Sequence, residues 1–404
     1  MANTILTSSI LAKVALSHLE NNLVFAKLVT RDYENSFQKV GDTISIRKPI
    51  KGNIADGPTI SSVGDTTEGK TTLVLDKQKV STFQFTSKEM TLSVDEMSER
   101  FIKPQMIRLA NQIDQDLAAL YANVWNYVGT PGTTLASWAA LARGSQRLDE
   151  MAVTDSRNAV LSPADAYALA GSLTTQYVQK RAESALGEAQ IGRLARADVF
   201  SGQNVASFTT GARGGTPLVN GASQNVTWAT AKDSNSQSLI TDGWSNSITG
   251  IVKAGDVFTI AGVYAVNPIT KATLPYLQQF VVTADGTSSG AGALTMTISP
   301  AIIASGEYQT VSAAPADNAA LTFVGSAATG YSQNMMFAKE AFALAVRPLD
   351  ILPGSVDVAR ESYKGLSVRV WPTADWTNDL AKWRLDILYG VKAIYPDLAC
   401  RMGG

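Results

Sequence analysis

The sequence predicts an α+β fold that carries an inserted antiparallel β domain, either a small barrel or a sandwich. Three observations predict it. A long amphipathic helix lies within 93–128, stretches on both sides of it alternate as β-strands do, and short alternating runs repeat from Gly214 to Gly325. Because this last stretch lies between two regions of mixed helix and strand character, we interpret it as an insertion.

The long helix is predicted from one apolar stripe. Its members recur at steps of three and four residues, which places them on one face: Ile102, Met106, Leu109, Ile113, Leu117, Leu120 and Val124. The opposite face is predicted to be polar: Asn111, Gln112, Asp114, Gln115 and Asp116. A helix of this kind packs its stripe against a sheet or another helix.

The bounds of this helix are predicted from capping and breaking residues. A capping box at 93–96 starts the helical run, and Pro104 interrupts it because proline kinks a helix interior. We therefore expect a short turn over Val94–Ile102 and then a helix from Pro104 to Val128, which Gly129 ends.

Two segments before the helix are predicted to need support from elsewhere. Residues 5–28 have an amphipathic helical pattern, and this helix either packs on its own domain or reaches onto a neighbouring subunit. Residues 40–50 and 70–85 alternate as strands, and the polar, glycine-rich residues between them form the tip of a hairpin. Since two strands cannot bury a core alone, the hairpin must lie on something, such as a neighbouring molecule.

The remaining elements are predicted from local pattern. The expected helices are Thr134–Glu150, Pro163–Leu173 with Ser162 as its cap, and Glu183–Ala195. The expected strands are Ala159–Leu161, 366–371 and Trp383–Tyr395, while Met336–Val346 is apolar enough to be a buried helix or strand. Within the insertion the alternating runs are NVTWA, SITGIV, DVFTIAGVYAV, QQFVVTA, ALTMTIS, YQTVS and ALTFV.

Composition excludes several classes of protein. The chain has 404 residues, 45% of them hydrophobic, a formal net charge of −1 and a mean hydropathy of +0.02, which is typical of a globular protein. Without a basic tail it is not built to neutralise nucleic-acid phosphates. No apolar run is long enough to span a membrane, no secretion signal is expected, and the single cysteine excludes an intrachain disulfide.

Motifs that would carry catalysis are weak. Residues 64–71 match the phosphate-binding pattern GxxxxGK[ST], but β-branched residues follow where a helix is needed, so we interpret the motif as part of the hairpin. His18 and Cys400 are the only residues of their types, which leaves no catalytic triad and too few zinc ligands. We therefore predict no catalytic, cofactor-binding or metal-binding residues. An enzyme that uses carboxylates alone remains an open alternative.

Three stretches resemble one protein family. LENNLVFAKLVTRDYE, followed by GDTISIRKP, is similar to the arm and hairpin entry of the major capsid proteins of tailed bacteriophages with the HK97 fold. VKAGDVFTIAGVYAVNP resembles the core of the β-barrel insertion domain found in the P22 coat-protein family, and RLDILYGVKAIYPDLA resembles its closing strand. The matching positions are Lys253, Gly255, Asp256, Ile260, Ala261, Gly262, Val263, Arg384, Tyr389, Gly390, Val391 and Pro396.

The resemblance runs nearly end to end and implies a division into domains. In family terms these are an N-terminal arm (1–34), an E-loop hairpin (35–90), a P-domain spine helix (91–131), a first part of the A-domain (132–221), the inserted barrel (222–325), a second part of the A-domain (326–362) and C-terminal P-domain strands (363–404).

The resemblance also implies a function. It implies a coat protein that self-assembles, as hexamers and pentamers, into an icosahedral shell. Expected partners are a scaffolding protein in a first procapsid, a portal protein, and double-stranded DNA that is enclosed without sequence-specific binding as the shell expands. No cofactor and no membrane is expected, and the protein would lie in the virion after assembly in the host cytoplasm. A tail-tube or surface-lattice protein and an enzyme with a β-rich accessory domain are the alternatives.

The candidate functional residues lie around the hairpin tip, Lys51–Gly69. We predict that the tip lies across an adjacent subunit, because the hairpin needs support and its charges are of both signs. The predicted inter-subunit contact residues are Arg47, Lys48, Lys51, Asp56, Asp65, Glu68 and Lys70. The alternative is a solvated loop.

Overall fold

The computed structural model describes most of the chain. The described residues are 12–13, 15–17, 23–33, 43–51, 67–86, 102–173, 192–353, 357–363, 366–375 and 377–403. The chain divides into two compact units. The first comprises Met1–Ile44, Thr72–Ala118 and Phe342–Lys392, and the second comprises Ser45–Thr71, Ala119–Ala341 and Ala393–Gly404.

Helices form a minor part of the described chain. The α-helices are α1 (Phe25–Leu28), α2 (Lys103–Ala118), α3 (Trp138–Glu150), α4 (Pro163–Leu173) and α5 (Trp228–Ala231). Turns of 3-10 helix lie at Ala119–Asn123, Lys339–Ala341 and Pro396–Leu398. Among the described residues, none of these helices is long and apolar enough to cross a membrane.

Strands form the larger part. They are β1 (Thr43–Arg47), β2 (Lys70–Val74), β3 (Lys77–Thr86), β4 (Tyr127–Val128), β5 (Arg157–Leu161), β6 (Arg193–Leu194), β7 (Ala197–Ser201), β8 (Ser207–Thr209), β9 (Gly215–Val219), β10 (Gln237–Trp244), β11 (Thr249–Val252), β12 (Val257–Val266), β13 (Thr273–Val282), β14 (Gly286–Thr287), β15 (Leu294–Ser299), β16 (Leu321–Phe323), β17 (Gly330–Ser332), β18 (Asn334–Ala338), β19 (Phe342–Arg347), β20 (Ala359–Tyr363), β21 (Leu366–Asp375), β22 (Leu380–Ala393) and β23 (Ala399–Met402).

The apolar stripe predicted for the long helix is buried. Its members are at most 5% exposed, except Leu120, which is half-buried: Ile102, Met106, Leu109, Ile113, Leu117 and Val124. The predicted C-terminal bound was wrong, because α2 ends at Ala118 and a 3-10 turn follows. Residues of the predicted last turns instead form β4, which pairs with β23 in a sheet. Tertiary pairing therefore overrides the helical pattern there. The start predicted at 93–96 lies outside the described residues.

Asp114 was predicted on the polar face, but it is buried. Its carboxylate accepts the backbone N–H of Val24 at 2.7 Å and that of Ala26 at 3.2 Å, so it satisfies donors at the start of α1. Burial raises the pKa of Asp114, and these hydrogen bonds oppose the rise. Phe25 and Ala26 are buried as well. The described part of the N-terminal segment thus packs on its own chain.

The long strand β22 organises the sheet of the first unit. It pairs antiparallel with β3, from Leu380 opposite Thr86 to Tyr389 opposite Lys77, and with β21. The Tyr389 hydroxyl donates to the Asp116 carboxylate at 2.7 Å, and Lys77 Nζ lies 3.1 Å from that carboxylate. These contacts join α2 to the strands beside it.

The end of β22 approaches another backbone closely at Gly390. A Cβ atom there would lie 2.0 Å from the carbonyl oxygen of Val74, so only glycine fits. The strand predicted over Trp383–Tyr395 is confirmed, with its bounds moved a few residues towards the N-terminus. The stretch 336–346 forms two strands, β18 and β19, separated by a 3-10 turn.

The second unit contains a six-stranded mixed sheet in the order β4-β23-β18-β5-β7-β6. Helices α3 and α4 contribute apolar residues to one core with this sheet, including Leu141, Leu169, Met336 and Met402. Helix α4 has the predicted bounds, and the Ser162 hydroxyl accepts the N–H of Asp165 at 3.2 Å as its cap. Residues 193–194, predicted to be helical, form β6 instead.

The predicted insertion is a β-barrel in the second unit. Its strands run in the order β16-β12-β13-β15-β10-β9. The sheet closes because Val219 in β9 exchanges backbone hydrogen bonds with residues 318–319, just before β16. The interior is apolar and includes Phe258, Phe280 and Met296. Two of the runs predicted as strands differ, since NVTWA leads into the short helix α5 and YQTVS contributes one isolated bridge, between Val311 and Ala265.

The predicted start of the barrel at residue 222 falls after β9, which the structure places in the barrel sheet. The chain enters through a buried ion pair in which Arg213 Nη2 lies 2.5 Å from the carboxylate of Asp256. That carboxylate is 0% exposed and also accepts the N–H groups of Gly211 and Lys253. We therefore propose 211–325 as the barrel domain.

The predicted C-terminal segment, 363–404, is divided between the two units after Lys392. The division assigned 363–404 to the P-domain, whereas β23 pairs with β18 in the mixed sheet of the second unit. Strand β19, assigned to the A-domain, belongs with β22 in the first unit. Hydrogen bonding between strands distant in sequence determines both assignments.

The first prediction concerns the buried stripe of α2. Ile113→Ala should lower the free energy of unfolding by about 2–5 kcal/mol, because a fully buried side chain leaves a cavity. Asn111→Ala on the half-buried face is the matched control and should cost far less. Urea unfolding of both variants is the measurement, and equal costs would contradict the assigned stripe.

The second prediction concerns the barrel bounds. A segment 211–325 expressed alone should give dispersed amide NMR signals and unfold cooperatively. The shorter segment 222–325 should not, because it lacks β9 and leaves the buried carboxylate of Asp256 without Arg213. Equally well-dispersed spectra from both segments would show that β9 and this ion pair are dispensable.

Candidate assembly site

The hairpin predicted to carry the assembly contact has a well-defined base. Strands β1 and β2 pair with each other. Beyond them the Lys48 N–H donates to the carbonyl of Gly69 at 2.8 Å, which continues the pairing towards the tip. We call residues 48–51 and 67–70 the hairpin base. The ends of the predicted tip, Lys51–Gly69, belong to this base, and its middle part, 52–66, which we call the tip from here on, lies outside the described residues.

The structure brings together five of the seven predicted contact residues. Arg47, Lys48, Lys51, Glu68 and Lys70 lie in or beside the hairpin base, whereas Asp56 and Asp65 lie outside the described residues. Arg47 Nη1 lies 3.5 Å from the carboxylate of Glu68, and these side chains are 82% and 45% exposed. An exposed ion pair of this kind contributes little to the stability of the fold. Because both side chains are exposed, both charges are accessible to another molecule.

The hairpin base rests on the barrel of its own chain. The indole N–H of Trp228 donates to the carbonyl of Thr67 at 3.0 Å. The N–H of Lys51 donates to the Tyr308 hydroxyl at 3.1 Å, and the N–H of Lys70 donates to the Asp233 carboxylate at 3.0 Å. The expectation that the hairpin needs support is therefore met at its base by the same polypeptide.

Two lysine side chains, Lys51 and Lys271, lie close enough on one side of this contact for their charges to interact. Burial first, and then the charge of Lys51, lower the pKa of Lys271 to about 8, while Glu307 acts in the opposite direction. The buried Lys271 Nζ has no hydrogen-bond partner among the described residues. Lys51 also lies over the Tyr308 ring, with its Nζ 5.9 Å from the ring centroid.

The described residues offer nothing that resembles a catalytic centre. The glycine-rich motif at 64–71 runs into strand β2, so the helix N-terminus that would bind phosphate is absent there. Burial raises the pKa of the Cys400 thiol to about 12, which suppresses the nucleophilic thiolate. His18 lies outside the described residues. Within the described chain no cluster of three metal-ligating side chains occurs.

Comparison with known proteins identifies the family. A family model described as "P22 coat protein - gene protein 5" matches residues 1–404. The chain belongs to the P22 coat protein family. This confirms the resemblance seen in the sequence, and it identifies a structural capsid protein rather than an enzyme.

Individual relatives agree with this assignment. The major capsid protein of Acyrthosiphon pisum secondary endosymbiont phage 1 is 25% identical over 415 residues, covering 98% of this chain and 96% of that protein. A solved structure from Mycobacterium phage Che8 matches with a TM-score of 0.51 and 13% identity, covering 94% of this chain and 90% of the other. The second likeness shows the fold, which is the HK97-like capsid fold.

Sequence reasoning missed the residues that receive the hairpin base, which are Trp228, Asp233 and Tyr308. Trp228 and Tyr308 lie in runs that look like ordinary barrel strands, and Asp233 is one of several scattered acidic residues. Their partners on the hairpin are mainly backbone atoms, so no complementary side-chain pattern marks the contact.

A third prediction follows from Lys271. The pKa of Lys271 is about 8 in the folded chain and has its ordinary value of 10.5 in the unfolded chain. Between these pH values the unfolded chain binds more protons at this side chain than the folded chain does. The lysine therefore makes the free energy of unfolding rise with pH in this window. Lys271→Met should unfold at a higher urea concentration than the parent at pH 7. Its advantage should shrink as pH rises through that window. A constant difference from pH 7 to pH 10.5 would contradict the lowered pKa.

Proposed function

We propose that this coat protein is the repeating subunit of an icosahedral shell, arranged in hexamers and pentamers around double-stranded DNA. The observation that carries the proposal is the family match over residues 1–404. It includes the hairpin, the helix α2 and the inserted barrel as well as the mixed sheet. The subunit acts by binding copies of itself, so its functional residues are those that form the contacts between subunits.

We propose further that the first product of assembly is a procapsid built with a scaffolding protein, which expands as DNA enters through a portal. The chain has 34 basic and 35 acidic residues. This near balance of charge supports a shell that forms first and receives DNA afterwards. A protein that condenses DNA by itself needs a large excess of positive charge to neutralise phosphates. A nearly neutral subunit suits a shell that is filled from outside.

The hairpin tip is proposed to lie across an adjacent subunit. Two features of the described residues support this. Both strands at the hairpin base are held by the barrel, so the tip between Lys51 and Thr67 emerges from a fixed support. Charges of both signs lie at its edge, with Arg47 and Lys70 exposed near Glu68. In a shell the same contact recurs at every subunit, so ion pairs that are individually weak have a large combined effect on assembly.

The shell proposal is tested by electron microscopy of the protein expressed with its scaffolding protein. Closed shells built from hexamers and pentamers are expected. Open tubes of constant diameter would favour a tail-tube protein. A discrete small oligomer under the same conditions would contradict the proposal.

A fourth prediction concerns the charges beside the tip. Glu68→Lys, Lys70→Glu and the double variant should keep the melting temperature of the monomer, because exposed charges contribute little to the fold. Shell yield should fall in the single variants, and the loss should narrow in high salt, which screens charge. Lys392→Glu, an equal charge change at an exposed position of β22, is the control. Unchanged yield in all three variants would make the tip a solvated loop.

A further inference from the structure

We propose that the inserted barrel is an intrachain receptor for the hairpin base, and that this docking fixes the direction in which the tip leaves the subunit. The barrel would then influence the lattice through the hairpin of its own chain. This inference rests on the proposed function only where shells are used as the readout. The docking itself is a property of the monomer.

The receptor is built around two stacked aromatic rings, which we call the aromatic platform. The rings of Trp228 and Tyr308 are 3.9 Å apart at their centroids and 3° from parallel. They lie in a cluster with the buried side chains of Ala301 and Ile303, so barrel packing holds the pair in place. Close packing of this kind restricts the movement of the rings. The platform is therefore a firm surface.

The platform holds both sides of the hairpin at once. The Trp228 indole donates to Thr67 on one side, and the Tyr308 hydroxyl accepts from Lys51 on the other. Because the two rings are stacked, their polar atoms keep a fixed separation. The two sides of the base cannot spread apart without breaking at least one of these hydrogen bonds.

The approach of the hairpin to the barrel is close enough to need a glycine. A Cβ atom on Gly69 would lie 2.5 Å from the backbone oxygen of Lys232 and 3.1 Å from the Trp228 ring. No left-handed backbone angle occurs at Gly69, so alanine is excluded there by the barrel and not by the local backbone. The neighbouring N–H of Lys70 completes the contact on Asp233.

These contacts recognise backbone rather than side chains. The barrel supplies side-chain groups, whereas the hairpin supplies the N–H of Lys51, the carbonyl of Thr67 and the N–H of Lys70. The receptor therefore sets the position and direction of the base through its backbone, and the Lys51 side chain also lies over the Tyr308 ring. This division suits a segment whose exposed charges meet a second subunit.

The docking is tested by amide hydrogen exchange on the full-length monomer, in which one glycine of the contact and one control glycine are each replaced by alanine. In Gly69→Ala the amides of Lys51 and Lys70 should exchange about tenfold faster, as expected when hydrogen bonds of ordinary strength are lost. Gly171→Ala is the matched control, because a Cβ atom there meets nothing within 4 Å. The Lys48 amide is bonded within the hairpin and reports whether the hairpin itself stays paired.

Two milder variants separate the contacts and protect the test against a folding defect. Tyr308→Phe keeps the stacked ring but removes the acceptor for Lys51, so exchange should rise at Lys51 and not at Lys70. Asp233→Ala should have the opposite pattern. Unchanged exchange at both amides in all three variants would overturn the docking.

The consequence for assembly is read from the same variants. With scaffolding protein present, Gly69→Ala and Tyr308→Phe should give fewer closed shells or shells of altered size, while Gly171→Ala matches the parent. Faster exchange together with normal shells would overturn the directing role and leave the shell function intact. Failure of the unsubstituted parent to form shells would instead overturn the proposed function.

Discussion

A two-stranded hairpin cannot hold its shape in water, and much of this structure is organised around that constraint. The hairpin strands β1 and β2 do not bury a core of their own. The chain supplies support at the base through the barrel, where Trp228 and Tyr308 hold the backbone on both sides. The inserted barrel therefore supports the segment that is proposed to contact a neighbour.

Buried carboxylates fasten distant parts of the chain together. Asp114 accepts N–H groups at the start of α1, and Asp256 accepts N–H groups at the entry to the barrel and pairs with Arg213. Asp165 accepts the N–H of Leu135 at 2.8 Å and a side-chain N–H of Asn334 at 2.7 Å. Leaving such a group unpaired in the interior is costly, so each pairing favours one arrangement of the segments that it joins.

Local periodicity predicted the elements whose pattern is decided by one buried face. The stripe of α2 and the long strand β22 are of this kind, whereas α4 was predicted from Ser162 as its cap and Pro163 at its first position. Where tertiary pairing decides, the sequence was insufficient. The last predicted turns of α2 contain β4, because the backbone of Tyr127 and Val128 pairs with β23 nearly three hundred residues later in the chain. The burial of Asp114 was hidden for the same reason, since its partners are backbone donors of a distant segment.

The sequence predicted the hairpin but not the residues that support it. Alternation and charge located the hairpin, and the need for support was inferred correctly. The identity of the support could not be predicted, because Trp228, Asp233 and Tyr308 bind backbone atoms that every residue has. The family resemblance added the shell function, which no residue pattern shows by chemistry alone.

The most direct test of this account is a reconstruction of the assembled shell by electron cryomicroscopy at side-chain resolution. The account predicts that each hairpin base lies on Trp228 and Tyr308 of the same chain, while the tip lies over an adjacent subunit. A hairpin base that lies free, or on the barrel of another chain, would contradict it.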